Sequence, residues 1–199
     1  MAEGNIKMTD AEIEAMQDAM EPASAYDLHH DEDVIEKRTL AVMVDNEPGV
    51  LGRVVGLFSA RGYNIESLTV AEVDRGSHTS RITIVSRGTN HTLEQIEAQL
   101  LRLVPVARVI DITNSKSGIE RELALVKVAG TGEKRVEALR ISEIFRCNVI
   151  DTTNESFVFE VTGTSSKIDQ FVDLMEPLGL VEVSRTGVLS LQRGPQAGA

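Results

Sequence analysis

The sequence predicts an α+β fold made of two consecutive βαββαβ units, each with two helices on one face of a four-stranded sheet. Three observations carry this. Short runs rich in β-branched and aliphatic residues alternate with apolar stripes at helical spacing. The order strand, helix, strand, strand, helix, strand occurs twice along the chain. The two passes also echo each other, with Asn64-Ile65-Glu66 after the first helix and Asn148-Val149-Ile150-Asp151 after its counterpart. This is the ferredoxin-like arrangement.

The first unit begins at Arg38. Residues 39–45 (Thr-Leu-Ala-Val-Met-Val-Asp) read as a buried strand, and Asn46-Glu47-Pro48-Gly49 as a turn. Val50, Leu51, Val54, Val55, Leu57 and Phe58 fall on one helical stripe that closes at Gly62. Residues 63–73 and 78–86 form a strand pair around Asp74-Arg75-Gly76-Ser77. A capping box at Thr92-Leu93-Glu94-Gln95 starts a second helix with Leu93, Ile96, Leu100 and Leu103 on one face. Pro105 ends it, and residues 106–112 return as a strand. Small polar residues at 113–118 make a linker.

In the second unit, residues 122–128 read as a strand and 133–146 as a helix. Residues 148–151 and 156–162 are strands. Ile168, Phe171, Val172 and Met175 mark a helix, and residues 180–191 one long strand. The expected division is an acidic leader at 1–37, domains at 38–113 and 119–193, and a tail at 194–199. The leader is expected to be disordered, with a short helix capped at Thr9-Asp10-Ala11-Glu12. In each unit the sheet face opposite the helices needs cover, and dimerisation is the cheapest way to supply it.

Composition narrows the function. A hydrophobic share of 42% supports real cores, and 4% aromatics with no Trp makes them aliphatic. A net charge of −11 disfavours nucleic acid and anionic membranes as partners. No apolar run reaches the length of a membrane span, and the acidic start resembles neither a secretory nor a transit signal. The single cysteine, Cys147, cannot close an intramolecular disulfide, which fits a cytoplasmic location. It reads as a small buried hydrophobe, since no motif ties it to a base.

Marks of catalysis are missing from the sequence. His29-His30-Asp31-Glu32-Asp33 reads as a solvated stretch, not a metal site. Gly130-Thr131-Gly132-Glu133-Lys134 falls short of a phosphate loop, because its glycines are too close and Arg135 stands where Ser or Thr is needed. The informative segment is Asn46-Glu47-Pro48-Gly49-Val50-Leu51. Gly49 permits close backbone approach, and the amides of a helix's first turn bind a carboxylate. Asn46 can accept from an ammonium. An α-amino acid carries both charges, and an aliphatic side chain could lie against Val50, Leu51 or Ile65. Taken on spacing alone, the same segment also reads as a plain turn.

Asp45-Asn46-Glu47-Pro48-Gly49-Val50-Leu51 followed by Arg53-Val54-Val55-Gly56-Leu57-Phe58 resembles the opening of an ACT domain, the amino-acid-sensing ferredoxin-like module. Arg61-Gly62-Tyr63-Asn64-Ile65-Glu66-Ser67-Leu68-Thr69-Val70 is similar to the version found in small subunits of acetolactate synthase. So are Leu123-Val126-Lys127-Val128, Glu143-Ile144-Phe145-Arg146 and Arg185-Thr186-Gly187-Val188. The resemblance covers residues 38–193. It implies a non-catalytic regulatory subunit whose first domain is an ACT domain. The implied partner is a large catalytic subunit that holds thiamine diphosphate, Mg²⁺ and FAD, with no cofactor in this chain. The implied effector is valine, bound between paired ACT domains of a homodimer. Carried over, Asn46, Gly49, Val50 and Leu51 lie on one protomer, and Asn64 and Ile65 on the other. The alternative is a stand-alone ACT sensor that regulates another enzyme.

Overall fold

The computed structural model describes residues 34–113 and 118–195. The Thr9 capping box, the His29–Asp33 cluster and most of the 113–118 linker fall outside them. The first unit runs β1 (Glu36–Asp45), α1 (Val50–Arg61), β2 (Ile65–Asp74), β3 (Thr79–Gly88), α2 (Asn90–Leu100) and β4 (Val106–Asp111). The second runs β5 (Gly118–Ala129), α3 (Glu133–Phe145), β6 (Asn148–Thr152), β7 (Ser156–Gly163), α4 (Ser165–Gly179), β8 (Leu180–Arg185) and β9 (Leu189–Gln192). The strand orders are β2-β3-β1-β4 and β6-β7-β5-β8, all antiparallel, so both halves have the ferredoxin-like topology.

The α1 stripe forms as its 3.6-residue spacing requires. Val50, Val54 and Phe58 enter a core with Leu40, Val42, Val44, Ile82, Ile84, Leu93 and Ile96. Each large side chain buried this way contributes about 1.5–3 kcal/mol. Leu51 and Val55 stand off this line, and Leu51 stays 41% exposed. The second core gathers Val126, Phe159, Val161, Ile168, Phe171 and Met175.

Two expectations need correction. Helix α2 starts before the predicted capping box: Thr89 is the cap, its Oγ1 accepting from Thr92 N at 3.2 Å. Thr92 is therefore the third helical residue instead of the cap. The strand predicted over 180–191 is broken by Gly187, which sits at φ 82°. β8 ends at Arg185 and β9 restarts at Leu189 to pair with the beginning of β5. That pairing absorbs Gly118–Arg121, which the sequence assigns to a linker and its margin.

The crossing between β8 and β9 changes the picture of the first sheet. Thr39, Ala41, Met43, Thr83 and Val85 point away from the helices, yet all are buried. The 186–190 segment lies against this face. Val188 N donates to Ser67 Oγ at 2.9 Å, and Arg81 Nη2 donates to Ser190 O at 2.7 Å. Cover for that face thus comes in part from within the chain.

Candidate functional site

Asn46 leaves the end of β1, where its backbone N–H donates to His78 O at 2.7 Å. Its side-chain amide reaches Glu72 Oε1, near the end of β2, at a long 3.4 Å. Gly49 caps α1 in the left-handed region at φ 87°, and open space surrounds the position of a would-be Cβ. Val50 N–H turns back to Glu47 O at 3.3 Å, and Arg53 N–H to Gly49 O at 3.0 Å. The amides of Leu51 and Gly52 are left without a partner among the described residues. This is a helix N-terminus with two amides that no described residue is shown to bond.

The other candidates divide between core and surface. Val50 is 3% exposed and belongs to the core, so its side chain does not face this opening. Leu51 offers exposed apolar surface beside Gly49. Ile65 is half-buried and packs on the first core, while Asn64 is exposed, its carbonyl accepting from Ser86 Oγ at 2.7 Å.

The structure does not bring Asn46 and Asn64 together within one chain. Asp45 pairs with Thr79 at one end of the sheet, and Ile65 with Ser86 near the other. Seven strand residues separate these rows, which is about 24 Å at strand rise.

A second feature was invisible in the sequence. A cleft of about 450 Å³ lies between the two domains, lined by Lys37, Glu66 and Arg87 on one side and Glu122, Asp169 and Arg185 on the other. Glu122 is only 5% exposed. Arg185 grips it with two hydrogen bonds, Nε to Oε1 at 2.7 Å and Nη2 to Oε2 at 2.8 Å, and reaches Asp169 Oδ1 at 2.6 Å through Nη1. Burial pushes the Glu122 carboxyl up, but hydrogen bonds from Arg185 and Ser165 outweigh it and hold the group below its ordinary value. Hydrogen bonding to Glu122 raises Arg185 in turn. The partners lie 63 residues apart in sequence, beyond any local pattern.

Little in the described residues suggests reaction chemistry. Cys147 is half-buried on the second core, and burial lifts its thiol to about 11, the reverse of an activated nucleophile. No group of three or more His, Cys, Asp or Glu among the described residues is placed to hold a metal. No helix among them is long and apolar enough to cross a membrane. Gly132, at φ 60°, simply turns the chain from β5 into α3.

A tandem ferredoxin-like fold defines the class, and its first half has the topology of an ACT domain. The comparisons with known proteins are more particular. Residues 40–108 match the ACT domain of acetolactate synthase small subunits, and residues 121–194 match the model described as the small subunit of acetolactate synthase. The chain belongs to the acetolactate synthase small-subunit family, as a regulatory, non-catalytic subunit. It is 46% identical over 158 residues to a probable acetolactate synthase small subunit of Archaeoglobus fulgidus, covering 79% of this chain and 98% of that one. It is 46% identical over 159 residues to the isozyme 3 small subunit of Escherichia coli, covering 79% and 96%. The crystal structure of the small subunit from Thermotoga maritima superposes with a TM-score of 0.73 at 36% identity, covering 81% of this chain and 99% of that one.

Proposed function

We propose that this chain activates a thiamine-diphosphate-dependent catalytic subunit in the cytoplasm and imposes feedback inhibition by valine, bound between the ACT domains of a homodimer. The observation that carries the shared site is the position of β2. It is an edge strand, with Val70 and Val73 exposed along it. Such an edge is a template for pairing. If two copies pair antiparallel along β2, the start of one strand meets the end of the other. Asn64 and Ile65 of one protomer then approach Asn46, Gly49 and Leu51 of its partner. The 24 Å separation inside one chain becomes a contact across the two-fold axis.

The chemistry suits an aliphatic α-amino acid. Its carboxylate would take the free amides of Leu51 and Gly52, where the helix dipole favours an anion. The carbonyl oxygens of the Asn46 and Asn64 side chains would accept from its ammonium. Leu51 and Ile65 would supply apolar contact for its side chain. The thiamine diphosphate, Mg²⁺ and FAD of the reaction belong, on this reading, to the catalytic subunit alone. The stand-alone sensor is disfavoured because residues 121–194 match the small-subunit family as well as the ACT domain does.

The deciding experiment is an acetolactate assay of the catalytic subunit, with and without this chain, across a valine titration. Severalfold stimulation that valine reverses is expected. No stimulation, or stimulation indifferent to valine, overturns the reading.

A further inference from the structure

We propose that residues 186–188, which cross from the second domain onto β2, are the element that passes effector occupancy in the ACT domain to the C-terminal domain, with Ser67 and Gly187 as its positioning residues. This rests on the effector site proposed above and names the route by which that site acts.

The geometry is specific. β2 carries Ile65 at its start and, near its end, Glu72, within reach of Asn46. In its middle, on the face away from the helices, Ser67 and Thr69 hold the crossing segment. Ser67 Oγ accepts from Val188 N at 2.9 Å, and Thr69 Oγ1 donates toward Thr186 O and Val188 O at 3.3 and 3.4 Å. Gly187 lies so close that a Cβ there would stand 2.5 Å from Ser67 Oγ and 3.0 Å from Thr69 Oγ1. Its φ of 82° is also one that other residues rarely adopt. Only glycine lets the backbone rest on these two hydroxyls.

The other end of the segment is fixed to the second domain. Thr186 N donates to Leu123 O at 3.0 Å, and Leu123 N donates to Thr186 Oγ1 at 3.2 Å. Arg185, one residue earlier, is bound to Glu122 and Asp169. A shift of β2 therefore meets a short, tight segment with no slack before the second domain. Few hydrogen bonds seat that segment, so on this proposal its seating is what effector binding at β2 biases.

The test uses the full chain reconstituted with its catalytic subunit, and compares valine binding with maximal inhibition. Ser67→Ala removes one hydroxyl at the crossing without touching the proposed pocket. Its valine Kd on the small subunit, by calorimetry, is expected to stay within about twofold of the parent. The ratio of uninhibited to fully inhibited rate is expected to fall about threefold to tenfold, the range of one lost hydrogen bond. Gly187→Ala should lower that ratio further; if it does not fold, Ser67→Ala decides alone. An unchanged ratio in Ser67→Ala overturns the coupling role. So does a Kd weakened in parallel with the ratio, which would place Ser67 in the pocket itself. Failure of the parent chain to bind valine defeats the effector reading first, and the coupling role with it.

Discussion

Among the described residues nothing lies within 4 Å of a Cβ added at Gly49, so substitutions there are decided mainly by backbone conformation and charge. Aspartate tolerates the left-handed region better than most residues, and Gly49→Asp should still fold. Its carboxylate would sit against the amides proposed to hold the ligand's carboxylate. We expect Gly49→Asp to abolish most valine inhibition, and Gly49→Ala, which adds no charge, to weaken it less. Asn46→Ala and Asn64→Ala each remove a hydrogen bond to a charged group, worth about 1.5–3 kcal/mol, or about a tenfold to hundredfold rise in inhibitory concentration. Valine titrations of the four reconstituted variants check this; unchanged inhibition in all of them places the site elsewhere. Cys147 gives a separate test. A thiol near 11 instead of 9.0 carries about a hundredfold less thiolate at pH 8. Alkylation by iodoacetamide should accordingly be slow in the native chain and fast after denaturation. The Asn46–Gly49 turn and the left-handed Gly49 cap were legible because turn chemistry is local, whereas the site role of Asn64 rests on the family resemblance alone. Val50 was legible only as part of the stripe, because one residue cannot point both into the core and at a ligand.

Among the elements, helices and central strands followed from periodicity, since 3.6- and 2-residue spacings are imposed by the core each element meets. Two boundaries escaped. Thr89 and Thr92 both precede acceptable helical residues, and only the backbone of β3, ending at Gly88, puts the cap at the first of them. Residues 180–191 alternate like one strand, and Gly187 is an interruption only because the chain must change sheets there. The Glu122–Arg185 pair was likewise out of reach, because β5 and β8 become neighbours only once the sheet forms. We expect Glu122→Gln to destabilise the second domain by about 1–3 kcal/mol, because one of the two Glu122 oxygens that accept from Arg185 becomes an NH2 group and Asp169 is left as its only anionic partner there. The sign of the pH effect follows from the depressed carboxyl. Glu122 adds stability above its ordinary value of 4.5, and that stability is lost as pH falls from there through its lower folded value. Thermal melts of the parent chain should therefore fall between pH 5 and 3 more steeply than those of Glu122→Gln. Parallel curves would show that the pair contributes little.

For the whole molecule, the open sheet faces set the organisation. The sequence predicted that each sheet needs cover opposite its helices, and assigned that role to a second copy. In the first domain the 186–190 crossing takes part of it, and the β2 edge is the surface that the proposed dimer would use. The long-range ties described here lie within residues 35–195: both cores, the Arg185 network and the hydrogen bonds that seat the crossing segment. Val34 and Ile35, where that region begins, are themselves exposed. A chain starting at Ile35 therefore keeps the contacts that hold each sheet and join the two domains. We expect deletion of residues 1–34 to shift the melting temperature by no more than a few degrees. In a chain of this size about 1 kcal/mol corresponds to roughly 2–4 °C. The proposed dimer should persist as well, because its edge strand and the candidate pocket residues are all retained. Differential scanning calorimetry and light scattering on the shortened and full chains provide the measurement. A fall of about 10 °C, or a change in oligomeric mass, would mean that residues 1–34 supply stability or an interface of their own.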